Sequence, residues 1–173
     1  MMDAGRSFSG NERNCCFLNV GNGTFADISG ISGLDYPDDG RAIATTDWDN
    51  DGDLDLWISN RNGPRLRLMR NDNDNENRFI SLLLKGNGIS SNKDAIGARI
   101  EIKPNGKKGN PTLIQTVRAG QGFLSQSSKC VHFGLGPSTD TINIQIRWPD
   151  GSIDSFEKIS TNKRYLIEQK NSK

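Results

Sequence analysis

The chain has 173 residues, with 22 Lys/Arg against 21 Asp/Glu, one His and three Cys. That length admits one or two small domains. The basic residues are scattered and form no dense run with interleaved aromatics, which argues against a nucleic-acid binder, and no stretch is apolar enough to span a membrane. Charge is unevenly spread. Residues 1–77 carry seven Lys/Arg against 14 Asp/Glu, and residues 78–173 carry 15 against seven. An acidic front half suits cation binding. A basic back half suits an acidic partner, a sulfated glycan or the front half itself, or is a solvated surface of mixed charge.

In chain order, the first residues lack an apolar leader and run abruptly into a strand, which fits a piece of a longer reading frame. The spacing predicts strands over 14–19 and 25–29, joined by the turn Gly21-Asn-Gly-Thr24. Residues 30–40, rich in Gly, Asp and Pro, read as a loop. Two more strands, 41–46 and 54–59, flank the run Asp47-Trp-Asp-Asn-Asp-Gly-Asp-Leu-Asp55. A turn at 61–64 leads to a strand at 66–71. The polar run 71–77 reads as a linker. Its Asp72, Asp74 and Glu76 form a second, weaker acidic group, without a turn glycine.

Six further strands are expected at 79–84, 98–103, 113–118, 130–133, 142–148 and 164–168, separated by turns at 104–106, 134–137 and 149–151. Ile142, Ile144 and Ile146 alternate with Asn143, Gln145 and Arg147, as in a strand with one buried face. No window holds a helical period. The fold expected is all-β, with an antiparallel sandwich in the second half.

Asp47, Asp49, Asp51 and Asp55 occupy positions 1, 3, 5 and 9 of a loop whose sixth residue is Gly52. Alternate carboxylates on a tight loop suit Ca²⁺, which takes six to eight oxygens. The carbonyl of Asp53 adds another, and Gly52 permits the turn. Ile58 stands where an EF-hand needs its bidentate Glu, so the loop belongs to a hairpin. The bland alternative is a solvated acidic turn, at the cost of like-charge repulsion.

The enzyme tests give little. His132, the one histidine, lies in a strand, and no nucleophile elbow accompanies it. Asp150 and Asp154 near Trp148 read as a strand end and turn before they read as a carboxylate pair. Gly134-Leu-Gly136 runs into Pro137 and fails the dinucleotide test. Gly120 to Gln126 offers two readings. In one, Gln121, Phe123, Ser125 and Gln126 line a ligand groove. In the other, preferred here, the segment is a bend with Phe123 and Leu124 plugging the core. Trp48, between two ligand positions, is the exposed candidate for stacking on a sugar. Trp57 is expected beneath the loop, and Trp148 in the sandwich. Cys15 and Cys16 point to opposite faces of a strand and do not pair with each other. One of them bonding to Cys130, or buried free thiols, satisfies the odd count.

Two stretches resemble known families. Asn19-Val-Gly-Asn-Gly-Thr-Phe-Ala-Asp27 followed by Asp47 to Leu56 resembles the FG-GAP or VCBS-type repeat. Ala95-Ile-Gly-Ala-Arg99, Gly120 to Gln126, His132-Phe-Gly-Leu-Gly136 and Arg147-Trp-Pro-Asp-Gly151 together resemble the ASPIC/UnbV domain of cartilage acidic protein-like proteins. The resemblance implies one propeller-blade-like hairpin unit at 1–72, a linker at 73–77 and an ASPIC/UnbV-like sandwich at 78–170. It assigns calcium to Asp47, Asp49, Asp51 and Asp55, with Asp53 through its carbonyl, and carries over no catalytic residue. A closed propeller needs several blades, so a lone blade implies packing on the second domain or a longer chain. The function implied is a non-catalytic, calcium-binding module for recognition or adhesion toward a protein or glycan, exported to the cell exterior or periplasm. The alternatives are an accessory C-terminal part of a larger enzyme and a small-ligand-binding domain.

Overall fold

The computed structural model describes residues 10–73, 76–104, 111–137 and 140–170. Asp74 of the second acidic group, most of the turn at 104–106 and the first nine residues lie outside them. The described residues are almost all β, with one 3-10 turn at Ser29–Ile31. None of their helices is long and apolar enough to cross a membrane.

The front half holds two small sheets. Strands β1 (Phe17–Gly21) and β2 (Thr24–Asp27) form a hairpin around Asn22 and Gly23, both at positive φ. Positive φ at both central positions gives the turn a twist that matches the flanking strands. The strand predicted over 14–19 starts later, so Cys15 and Cys16 precede it. Strands β3 (Gly40–Thr46), β4 (Asp55–Asn60) and β5 (Leu66–Met69) form an antiparallel meander. Ile58 is its buried apolar residue, while Phe17, Val20, Phe25, Ile43 and Leu66 stay exposed.

The loop before β3 hides an ionic cluster that the sequence reading passed over as turn residues. Asp38 and Asp39 are buried. Asp39, at φ 57°, is paired with Arg41 at 2.8 Å and lies 3.8 Å from Arg61. Asp38 pairs with Arg67, whose guanidinium sits 3.9 Å over the Tyr36 ring. Asn60 donates to the Pro64 carbonyl at 2.9 Å. Buried carboxylates persist only with partners of this kind.

In the second half, β6 (Arg78–Lys85), β9 (Val131–Gly136) and β12 (Lys163–Glu168) form a three-stranded sheet in the order β12-β6-β9. Strands β7 (Arg99–Pro104), β8 (Leu113–Thr116), β10 (Thr141–Arg147) and β11 (Ile153–Ser160) form a four-stranded sheet in the order β11-β10-β7-β8. Ile80, Leu82 and Phe133 of the first sheet share one core with Ile100, Ile102, Ile142, Ile144 and Ile146 of the second. Trp148 closes it at 2% exposure, its indole N–H donating to Asp154 at 2.8 Å.

The all-β sandwich is found as expected, and four details differ. The sandwich is not wholly antiparallel, because β12 pairs with β6 in parallel. Strand β11 is not among the expected strands. A register shift beside Lys158, at φ 53°, puts Phe156 and Ile159 on the core side three residues apart and breaks the period of two. Phe123 and Leu124 do not plug the core: they are 75% and 78% exposed. Buried free thiols are not found throughout either. All three cysteines are free, but Cys15 is exposed and Cys16 and Cys130 are half-buried.

Candidate metal loop and the adjoining cleft

The carboxylate loop joins β3 to β4, and the ladder fixes its ends by setting Thr46 opposite Asp55. Within it Asn50 and Gly52 take positive φ, 61° and 101°. The Asp53 N–H donates to Asp51 Oδ1 at 2.9 Å. These bends gather Asp47, Asp49 and Asp51, whose ligand oxygens lie within 4.8 Å of one another. Asp49 and Asp51 are exposed and Asp47 is half-buried. Asp47 Oδ1 is buried without a hydrogen-bond partner. An orphaned carboxylate oxygen beside two others is a set of hard donors suited to a divalent cation.

Asp55 stands apart. It is fully buried, and its two oxygens accept the backbone N–H groups of Trp48 at 2.8 Å and Asn71 at 2.9 Å. Its charge serves to clamp the loop to the segment that follows β5. Burial first, and the Asp51 charge second, push the Asp53 carboxyl above its ordinary range, with His132 opposing. Arg70 lies 3.8 Å from Asp49 and pairs with Asp72 at 2.7 Å. Trp48 is exposed, its ring 5.3 Å from Trp57 and edge-on to it.

The loop also touches the second half. A side chain on Gly52 would overlap the Phe79 ring. Phe79 stacks on His132 at 5.6 Å, and the Phe79 backbone is held by Asn162 through bonds of 2.7 and 3.1 Å. His132 Nδ1 lies 3.1 Å from Ser81 Oγ, and burial holds its pKa below the usual value. Arg164 donates to Asn50 Oδ1 at 3.4 Å. On the other flank, the Thr45 N–H donates to Ser127 Oγ at 3.0 Å, and the Ser128 N–H to the Thr45 carbonyl at 3.1 Å.

Behind these contacts lies a cleft of about 330 Å³, lined from the hairpin by Thr45 and Asp47 and from the second half by Gln115, Gln121, Cys130 and Arg164 among others. Of the groove residues expected from sequence, Gln121 reaches this cleft. Ser125 donates to the Gln121 carbonyl at 2.8 Å and supports the bend. Phe123 and Gln126 are outside the lining. Asp150 and Asp154 are each engaged by other side chains. Asp150 accepts from Ser90, Ser152 and Gln169, and Asp154 is held by Trp148.

Fold and site define an all-β protein with a carboxylate hairpin loop seated against a β-sandwich. Residues 7–58 match the family model for an FG-GAP-like repeat, and residues 88–173 match that for ASPIC and UnbV. The chain therefore carries an FG-GAP-like repeat followed by an ASPIC and UnbV domain. Over 70 residues it is 37% identical to cartilage acidic protein 1 of Mus musculus, 43% to that of Xenopus tropicalis and 36% to that of Homo sapiens. Each alignment covers 40% of this chain and 11% of the relative. No solved structure matches.

Proposed function

We propose that the chain is a non-catalytic, calcium-binding β-module for recognition or adhesion toward a protein or glycan. The observation that carries the metal reading is the convergence of Asp47, Asp49 and Asp51 within 4.8 Å. The partnerless, buried Asp47 Oδ1 strengthens it. A cation there neutralises like charges that otherwise repel. The Asp53 carbonyl adds a further oxygen, and Asp55 orders the loop by its two backbone bonds. Recognition rests on the FG-GAP and ASPIC/UnbV resemblance. The exposed apolar side chains of the front sheets suit a covering partner.

The test is a thermal melt in excess chelator and across a calcium titration. A ligand bound only by the native state raises stability as RT ln(1 + [L]/Kd). A saturable rise in Tm, weakened by Asp49→Ala and by Asp51→Ala, is expected. A cooperative melt unmoved by millimolar calcium overturns the metal reading.

A further inference from the structure

We propose that the cleft between the carboxylate hairpin and the sandwich binds a small sugar acid, a polyhydroxylated ligand bearing one carboxylate. Its volume, about 330 Å³, falls at the low end of small-molecule sites. That size holds a compact ligand and excludes a folded partner.

The walls are fixed in advance, because Thr45 and the segment 127–128 exchange the two hydrogen bonds described above. Those bonds also prepare the donors. Ser127 Oγ accepts from the Thr45 N–H, and Ser128 Oγ accepts from the Cys130 N–H at 3.1 Å. Each hydroxyl proton is left for a ligand oxygen. The Gln121 amide adds a group that both donates and accepts. Hydroxyls and amides of this kind match vicinal hydroxyls, which also do both.

Charge selects the acid. Three cationic residues line the cleft: Arg118, Lys129 and Arg164. Lys129 is committed to Asp94 at 2.6 Å. Among the described residues neither Arg118 nor Arg164 has a carboxylate partner. Asp47 is the one carboxylate in the lining. Two uncompensated guanidinium groups therefore face one acid, and a planar guanidinium is well shaped to take a carboxylate on two bonds. The inference rests on the calcium reading only for strength, since a cation on Asp47 would add to the positive excess.

Cys130 lies in the cleft wall and serves as a reporter. The experiment follows alkylation of the full chain by iodoacetamide, peptide by peptide, during titration with glucuronate. Glucose and acetate at matched ionic strength are the controls, and Cys15, which is exposed and outside the lining, is the internal reference. Saturable protection of Cys130 by glucuronate, several-fold beyond either control and without effect at Cys15, is expected. Arg118→Gln, at an exposed residue without a carboxylate partner among the described residues, should weaken that protection about tenfold, the size of a charge-assisted hydrogen bond. Absence of protection, equal protection by acetate, or unchanged protection in both Arg118→Gln and Arg164→Gln overturns the proposal. Glucuronate protection in a chain whose Tm ignores calcium leaves the cleft standing and removes the metal. A calcium shift without protection removes the cleft alone.

Discussion

Gly52, at the turn of the carboxylate loop, lies against the ring of Phe79 at the start of the sandwich, so closely that a methyl group there would overlap it. The loop thus has a wall on one side that belongs to the other half of the chain. Its geometry depends on both.

Gly52→Ala should destabilise the chain by about 2–4 kcal/mol, combining strain at φ 101° with overpacking against the ring. In a Phe79→Ala background the clash is gone and only strain remains. A double-mutant cycle by urea unfolding should then return a coupling of about 1–2 kcal/mol between the two positions. Additive single effects would place the loop free of the ring.

Asp55→Ala should cost about 2–5 kcal/mol, since it strips the acceptors from two backbone N–H groups at a fully buried position. Asp55→Asn should cost less, because one acceptor oxygen survives. The check is urea unfolding in chelator, where no metal effect is mixed in. A loss in the range of surface substitutions would mean that the clamp is not formed.

Hydrogen bonds from Ser90 and Ser152 hold the Asp150 carboxyl far below the usual carboxylate range. A folded pKa beneath the unfolded value of about 3.9 stabilises the chain above that value. The contribution is lost as pH falls toward the folded pKa. Thermal melts from pH 5 to pH 2 should therefore show an acid limb that becomes shallower in Asp150→Ala. The gap between parent and variant should be widest at pH 5 and narrow toward pH 2.

Trp148→Phe removes the N–H held by Asp154 and leaves space in a closed core. A loss of about 2–4 kcal/mol is expected by calorimetry. The smaller ring alone, with the hydrogen bond irrelevant, would give the same loss in an Asp154→Ala background.

Much of this was legible in the residues. Ile142, Ile144 and Ile146 announced β10 because alternation against one core repeats every two residues. The Asp47–Asp55 spacing announced its hairpin, and three of its carboxylates do converge. Asp55 shows the limit of spacing as a guide. A one-dimensional pattern gives the distance along the loop, but not that β3 and β4 zip up to Asp55 and turn its oxygens onto the backbone. Strand β11 was hidden by its bulge at Lys158. The Asp38–Asp39 cluster was hidden because two of its three partners, Arg61 and Arg67, lie more than 20 residues away. Phe123 and Leu124 looked like core by composition, but the bend leaves them on the surface. The Phe79–Gly52 contact crosses between the halves, where no local signal reaches.

The pairing of β12 with β6 sets a timetable for biosynthesis. Lys85 and Glu168 are neighbours in the sheet and 83 positions apart in the chain. As the polypeptide leaves the ribosome, β6 emerges before β12 and waits for the strand that covers its edge. An unpaired apolar edge invites another chain. The nascent sandwich is therefore at its most aggregation-prone between the exit of β6 and that of β12, and products ending short of Lys163 should collect as insoluble material.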